Sequence, residues 1–530
     1  MLSPTEIIVE KIWTELFHLE KITPNDNFFE MGGDSIMTLT MLFQINDILG
    51  VTLRPEVLMN APTLGEFCRF IDRKKLEVLD TEANDIIRCT RKDRLSVSFI
   101  QEQVVGAELS GLYDPDKTRS HCLALCYRIE GKINIPVLDK ALSEIVQRHE
   151  ILRTSYSVTD GIIYQNVNDA PQSILHVDDL RHLSHDDRER EIERTLKKIA
   201  ADSFSFFHDK LMISATLIVG KKEHILAVVV NHVAIDGLSM TILKDELFLL
   251  YRVYSYNAPS PLSDLPIQYA DFAVWERRYF SGERLESKLA YWRRLSSEPL
   301  NTALPVDHVS ETLSYAGDIV PITILPELVS QLRQLGRKNK ATLFTVMFAT
   351  FIALIHAFSG YRYNFFCIPT GNVLKETRSL IGCFMNFQFI YIDLSGNPTF
   401  LELVERLNRA LHGAYDNYVP FHFITREIPP QGPVVDFQLL PAPGNSTIPN
   451  DLLLFPFRLQ PQEFALFPID VYLLNSSETI TGHFKYQTAA YDRNTISDMA
   501  NDYMSLLTRM VHDPDVRLND MGIKPHRSVI

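Results

Sequence analysis

A small helical bundle followed by a much larger α/β region is the fold class this sequence predicts, on three observations. Apolar residues recur at helical spacing over residues 1–76. A charged stretch with little apolar period follows over 77–92. From Leu95 onward, strand-like and helix-like patterns alternate to the C-terminal region. A chain of 530 residues exceeds one ordinary core, so about two to four domains are expected.

The helical unit begins with Ile7, Ile8, Ile12, Trp13 and Leu16 on one helix face. A loop rich in Pro, Asn, Asp and Gly spans Lys21 to Gly33. Ile36, Leu39, Leu42 and Ile45 then mark a second amphipathic helix. Thr63 is the expected N-cap of a last helix, Leu64 to Arg73, with Glu66 at its third position. Residues 77–92, with Glu77, Asp80, Glu82, Asp85, Arg88, Arg91 and Lys92 following Lys74 and Lys75, read as a linker. A Pro/Ser break at 256–267 divides the large region into two expected lobes, 93–262 and 263–530. Within the second, Thr342 to Ile355 is apolar on nearly every side and predicts a buried helix.

Hydrophobic residues make up 46% and charged residues 22%, the balance of a globular protein. A net charge of −14 opposes nonspecific nucleic-acid binding and attachment to an anionic membrane surface. No uninterrupted apolar run reaches membrane-spanning length. Met1 to Glu6 lacks the basic and apolar regions of a signal peptide. Six scattered cysteines contain no CxxC pair. Cys122 and Cys126 follow His121, but the stretch reads as a strand with both thiols on one face. Four converging ligands are missing, so no metal is expected. A reduced, cytoplasmic protein is the expectation.

Two stretches carry chemistry. Ile225 to Val230 is an apolar run that predicts a buried strand, and it delivers Asn231-His232-Val233-Ala234-Ile235-Asp236-Gly237. An imidazole at a rigid strand end can exchange protons near neutral pH. Asp236 is short enough to fix the turn or pair with a buried cation, and Gly237 tolerates backbone angles other residues resist. HxxxDG alone is equally satisfied by a core histidine. The second stretch is Phe28-Phe29-Glu30-Met31-Gly32-Gly33-Asp34-Ser35-Ile36. Ser35 serves as an ordinary N-cap in the plainest reading. The double Gly and the Asp exceed what a cap needs and clear space for another protein to approach the hydroxyl. With no His nearby in sequence, Ser35 reads as a serine to be modified rather than a nucleophile.

On these residues the chain resembles two families. Residues 1–76 resemble a peptidyl carrier protein, with FFEMGGDSI matching its attachment motif. The resemblance implies a 4′-phosphopantetheine arm on Ser35, put there by a phosphopantetheinyl transferase. Such a tether raises effective concentration at a target site. The region from 93 onward resembles the condensation domain of nonribosomal peptide synthetases. Ser98-Phe99-Ile100-Gln101 resembles its first motif, though Gln103-Val104-Val105 departs from it. Arg148-His149-Glu150-Ile151-Leu152-Arg153-Thr154 matches the second and Asn231 to Gly237 the third, HHxxxDG, with Asn231 in place of the first His. Tyr269-Ala270-Asp271-Phe272-Ala273-Val274-Trp275 matches the fourth, with Tyr291-Trp292 after it. Ile381-Gly382-Cys383-Phe384-Met385-Asn386-Phe387-Gln388 matches the fifth, and Tyr418-Val419-Pro420-Phe421 resembles the sixth.

The resemblance implies a four-helix carrier bundle and two chloramphenicol-acetyltransferase-like lobes forming a V around a tunnel. It places catalysis on His232. Asn231 keeps hydrogen-bonding capacity but cannot titrate. Asp236 is expected in a structural ion pair with Arg148 or Arg153, whose breakage costs about 3–5 kcal/mol. Gly237 is expected where backbone approaches substrate. His149, Trp275 and Trp292 are expected to serve structure, and Asn386 and Gln388 to face the lobe interface. The implied reaction is amide formation by an amine attacking a thioester, as in antibiotic and other secondary-metabolite synthesis. Upstream and downstream modules or carriers supply the substrates. An ester-forming or terminal domain releasing its product onto a free amine or alcohol uses the same residues. A noncatalytic recruitment platform is the alternative from another class. A cyclisation domain would carry DxxxxD instead. An epimerisation domain shares HHxxxDG, but the DFAVW, GCFMNFQ and YVPF runs favour condensation.

Overall fold

The structure is a computed structural model. It describes residues 3–523 except 18, 20, 29–30, 32–40, 43, 46–47, 50, 52, 54–56, 79–85, 92–93, 110–121, 202–203, 296–303, 310–313, 362, 372–373, 429–434, 442–451, 458, 460–462 and 477. Ser35 and His121 therefore lie outside the described residues.

The first unit contains α1 (Pro4–Phe17), α2 (Val57–Asn60) and α3 (Leu64–Val78), with further helical residues within 41–49. Its core closes on Trp13, which is fully buried, with ring centroids 5.2 Å from Phe28 and 6.2 Å from Phe67. Thr63 and Glu66 form the expected capping box: the Glu66 N–H donates to Thr63 Oγ1 at 3.3 Å, and the Thr63 N–H donates to Glu66 Oε2 at 3.2 Å. The Thr63 hydroxyl and backbone hold the Glu66 carboxyl below its usual pKa. Helix α3 continues past Arg73 to Val78, into the start of the expected linker.

The linker is shortened from its other end too. Ile86 packs into the next domain's core. Arg91 pairs with Asp271 at 2.7 Å and with Glu150 at 2.6 Å, and the Cys89 N–H donates to Asp271 Oδ1 at 2.7 Å. Asp271 is fully buried, and a buried carboxylate needs such a partner. What reads in sequence as a linker thus supplies the counter-charge of a core carboxylate.

The large region begins with β1 (Leu95–Ser96), α4 (Phe99–Leu109), β2 (Cys122–Gly131), α5 (Ile135–Arg148), β3 (Thr154–Thr159), β4 (Ile162–Val167) and β5 (Leu175–Asp179). It continues with α6 (His185–Ala201), β6 (Ile213–Val219), β7 (Glu223–Asn231), α7 (Gly237–Ser255) and α8 (Tyr269–Tyr279). The second part comprises α9 (Gly282–Leu295), β8 (Ala316–Ile324), α10 (Pro326–Lys338), α11 (Leu343–Ser359), β9 (Tyr363–Gly371), β10 (Met385–Asp393), α12 (Phe400–Asp416) and α13 (Phe421–Glu427). It ends with β11 (Val435–Pro441), β12 (Leu452–Pro456), β13 (Glu463–Phe464), β14 (Ile469–Asn475), β15 (Ile480–Gln487) and α14 (Arg493–His512).

Each lobe has its own sheet and core, the two-lobed α/β class the sequence predicts. The N-terminal lobe's main sheet runs β12-β2-β7-β6-β5, with β1-β4-β3 beside it. The C-terminal lobe's sheet runs β10-β9-β11-β14-β15-β8-β13. Helix α11 is the expected buried helix. Thr342 caps its start, and Gly360 ends it at φ 72°, a left-handed angle suited to Gly. Among the described residues no single helix is long and apolar enough to cross a membrane.

The expected cut after residue 262 does not hold. Leu265, Ile267, Tyr269, Phe272 and Trp275 pack into the N-terminal lobe's core, whereas the buried apolar residues from Phe280 to Phe358, joined by Phe99 of α4, pack into the C-terminal one. The Pro/Ser break merely joins α7 to α8, whose aromatic face turns back onto the first lobe. Two later segments also return there: Leu380, Ile381 and Phe384 join its core, and β12 pairs with β2.

Candidate active site

Strand β7 lies between β2 and β6, and its residues after Glu223 are all buried. Such a strand has no freedom to shift register, so its end is a rigid platform. At that end the Asn231 side chain accepts the Val233 N–H at 2.9 Å, and the Asn231 carbonyl accepts the Ala234 N–H at 2.9 Å. This tight turn buries Val233, Ala234 and Ile235 while leaving His232 partly exposed.

Asp236 caps α7: its Oδ1 accepts the Ser239 N–H at 2.8 Å. Its Oδ2 accepts the Phe384 N–H at 3.0 Å. The expected ion pair with Arg148 or Arg153 is therefore not formed. Arg148 instead pairs with Glu246 at 3.0 Å and donates to the Ser263 carbonyl. Arg153 donates to the carbonyls of Val146 and Asn168. The physical reason is geometric. A helix-capping carboxylate already receives two backbone N–H groups, and these satisfy its charge without a guanidinium.

The Phe384 bond belongs to a larger clamp. The 381–384 segment is held at each successive residue by the N-terminal lobe. The Ile381 N–H donates to His149 Nδ1 at 3.2 Å. Ser239 Oγ donates to the Gly382 carbonyl at 2.9 Å and accepts the Gly382 N–H at 3.2 Å. Tyr269 donates its hydroxyl to the Cys383 carbonyl at 2.6 Å. Gly382 is required here because a Cβ would fall 2.2 Å from Tyr269 Cδ2. The clamp brings the Cys383 sulfur to 3.9 Å from His232 Nδ1.

His149 is fully enclosed, with Nε2 at 2.9 Å from Glu246 Oε2. Burial outweighs the carboxylate and lowers its pKa below the usual histidine value. Trp275 stacks on Tyr279 at 4.7 Å, and Trp292 donates to the Asn417 carbonyl at 2.9 Å. All three serve packing. Asn386 faces the lobe interface as expected: it lines a pocket with Phe272 and Glu276 of the first lobe and Tyr418 and Pro420 of the second, while binding the Val419 carbonyl and the Phe421 N–H. Gln388 instead binds the Ala414 carbonyl, tying β10 to α12 of its own lobe. Gly237 is exposed, and a Cβ there meets nothing within 4 Å.

The sequence did not reveal Ser239 and Tyr269 as holders of the 381–384 segment, or Cys383 as a neighbour of His232. The available signal was Gly382, whose missing side chain marks a close approach. The Cys122 and Cys126 thiols are pushed up to about 12 by burial.

The Condensation domain family model matches residues 92–528, and the Phosphopantetheine attachment site model matches residues 8–71. One of the linear gramicidin synthase proteins of Brevibacillus parabrevis is 31% identical over 529 residues, covering 97% of this chain and 10% of that protein. The chain spans a tenth or less of the length of such curated relatives. Among solved structures, the X-domain from teicoplanin biosynthesis superposes with a TM-score of 0.72 at 21% identity, over 82% of this chain and 99% of that one. The first condensation domain of the CDA synthetase superposes with a TM-score of 0.66 at 18% identity, over 81% of this chain and 99% of that one.

Proposed function

The chain belongs to the condensation-domain family and carries a phosphopantetheine attachment site ahead of that domain, and from this premise we propose that it forms an amide bond in nonribosomal peptide synthesis. The acyl donor is a thioester, the acceptor is an amine, and Ser35 is the attachment residue. The flanking residues fit such a group: Phe28 and Met41 are fully buried in the carrier core, and the Phe28 N–H is held by the Pro62 carbonyl at 2.8 Å. The arm, when attached, supplies a thiol that holds the acyl group as a thioester.

The observation that carries this reading is the placement of His232. It is a partly exposed imidazole at a rigid strand end, next to a segment reaching in from the second lobe. A thioester is already activated, so holding amine and carbonyl together supplies much of the acceleration. His232 acts on the reacting centre by proton transfer or hydrogen bonding. Asp236 holds the clamp that shapes the site. Asn231 sets the turn, and open Gly237 leaves room for substrate. Neighbouring modules and a phosphopantetheinyl transferase are the partners.

Intact-protein mass spectrometry after incubation with coenzyme A and a transferase tests the carrier. The mass gain should vanish in Ser35→Ala. Loading an acyl donor and screening amines and alcohols tests the chemistry, and product should vanish in His232→Ala. A wild-type chain that loads but yields no product with any acceptor is a recruitment platform instead. Ester product with alcohols alone moves the reading to ester formation.

A further inference from the structure

Cys383 stands against the His232 ring, and the reaction scheme leaves it unused. Its position is fixed by its neighbours: Gly382 and Phe384 are bound by Ser239 and Asp236, and its own carbonyl is bound by Tyr269. The side chain is 2% exposed, and its sulfur lies 3.9 Å from His232 Nδ1, within reach of a sulfur hydrogen bond. A cysteine beside a histidine invites a nucleophilic reading, but a nucleophile must be a thiolate. Burial, and then the Asp236 and Glu276 carboxylates, push this thiol far above its usual value. The sulfur therefore keeps its proton near neutral pH. A protonated thiol against an imidazole nitrogen has its S–H to donate.

We propose that Cys383 is a positioning residue whose S–H donates to His232 Nδ1, fixing the neutral imidazole with its proton on Nε2. A neutral imidazole has one donor and one acceptor nitrogen, so accepting at Nδ1 makes Nε2 the donor. His232 then enters the reaction as a hydrogen-bond donor. The amine nitrogen attacks the thioester carbon, and the carbonyl pair moves to oxygen, where Nε2–H receives it. The pair returns, the C–S bond breaks, and the departing sulfur takes the proton lost by the amine. Amide and thiol result, and the imidazole ends as it began. This inference rests on His232 acting at the reacting carbon and specifies how it does so.

The test is the tautomer itself, read by 15N NMR of the full chain labelled in histidine, at a pH where the ring is neutral. The His232 signal is assigned by its loss in His232→Gln. The expected result is Nε2 protonation in the wild type, retained in Cys383→Ser and lost to a mixture in Cys383→Ala. With a soluble acyl thioester and saturating amine, Cys383→Ala should lose about tenfold in kcat with little change in KM, as one hydrogen bond would cost, and Cys383→Ser should recover most of it. Nδ1 protonation in the wild type overturns the proposal, whether or not the variants fold. A tautomer unchanged in folded Cys383→Ala overturns it too. Absence of product from the wild type sinks the condensation reading instead and leaves the NMR result to decide the ring contact.

Discussion

His149 and His232 both stand in stretches that match family motifs, and both touch the 381–384 segment. One is enclosed, with each ring nitrogen engaged by Glu246 or the Ile381 N–H. The other is partly exposed just past the end of β7, and among the described residues its Nδ1 meets the Cys383 sulfur. The difference lies in what surrounds the ring rather than in the ring. A histidine with both nitrogens occupied in the core is a joint between elements. A histidine with a free edge on a rigid strand end can act on something that arrives.

The sharpest way to break this comparison is to remove each ring. His232→Ala should lower single-turnover product formation by about 100-fold or more, the range of general acid–base or oxyanion contributions, while its thermal midpoint stays near the wild type. A large fall in stability instead would make His232 a joint like His149. Asp236→Ala comes next. It removes a helix cap and leaves the Phe384 N–H without its acceptor, together about 2–4 kcal/mol by chemical denaturation. An unchanged denaturation midpoint would mean the clamp is not held by this residue. Gly382→Ala forces a Cβ against the Tyr269 ring, and overpacking of this kind costs about 1–3 kcal/mol.

His149 also predicts a pH dependence. Its folded pKa is lowered by burial, so below the unfolded value of about 6.5 the unfolded chain binds the proton more readily. The stability it contributes is full above that pH and is lost as pH falls towards the folded value. Denaturation midpoints of wild type and His149→Gln, compared across that window, should show a steeper slope in the wild type, the remainder coming from His224, His412 and His422, which burial also lowers. The smallest stability effect is expected at Gly237. With open space around it, Gly237→Ala should change stability by less than about 0.5 kcal/mol. If product formation falls nonetheless, the open space is where substrate passes.

The fold class was legible because burial imposes periodicity. Ile225 to Val230 is apolar at consecutive positions since β7 has neighbours on both edges and both faces. Thr342 to Ile355 is apolar all round since α11 is enclosed by its lobe. Thr63 and Glu66 announced a helix start through a strictly local capping pattern. The lobe boundary was not legible. Pro and Ser at 256–267 report a break in the chain, whereas Tyr269, Phe272 and Trp275 choose their lobe by which face of α8 finds a core.

Local sequence was enough to say which residue types stand at the strand end, where the helices start, and that a phosphopantetheine-attachment region precedes a two-lobed domain. Those properties depend on neighbours a few positions apart, so the local order of side chains contains them. The tertiary structure alone decided that Asp236 binds backbone N–H groups rather than an arginine, that Arg91 answers Asp271 across the chain, and that Cys383 comes to rest against His232. A carboxylate accepts any well-placed donor and a buried charge accepts any counter-charge, so chemistry names the class of partner, and only the packed chain selects the individual.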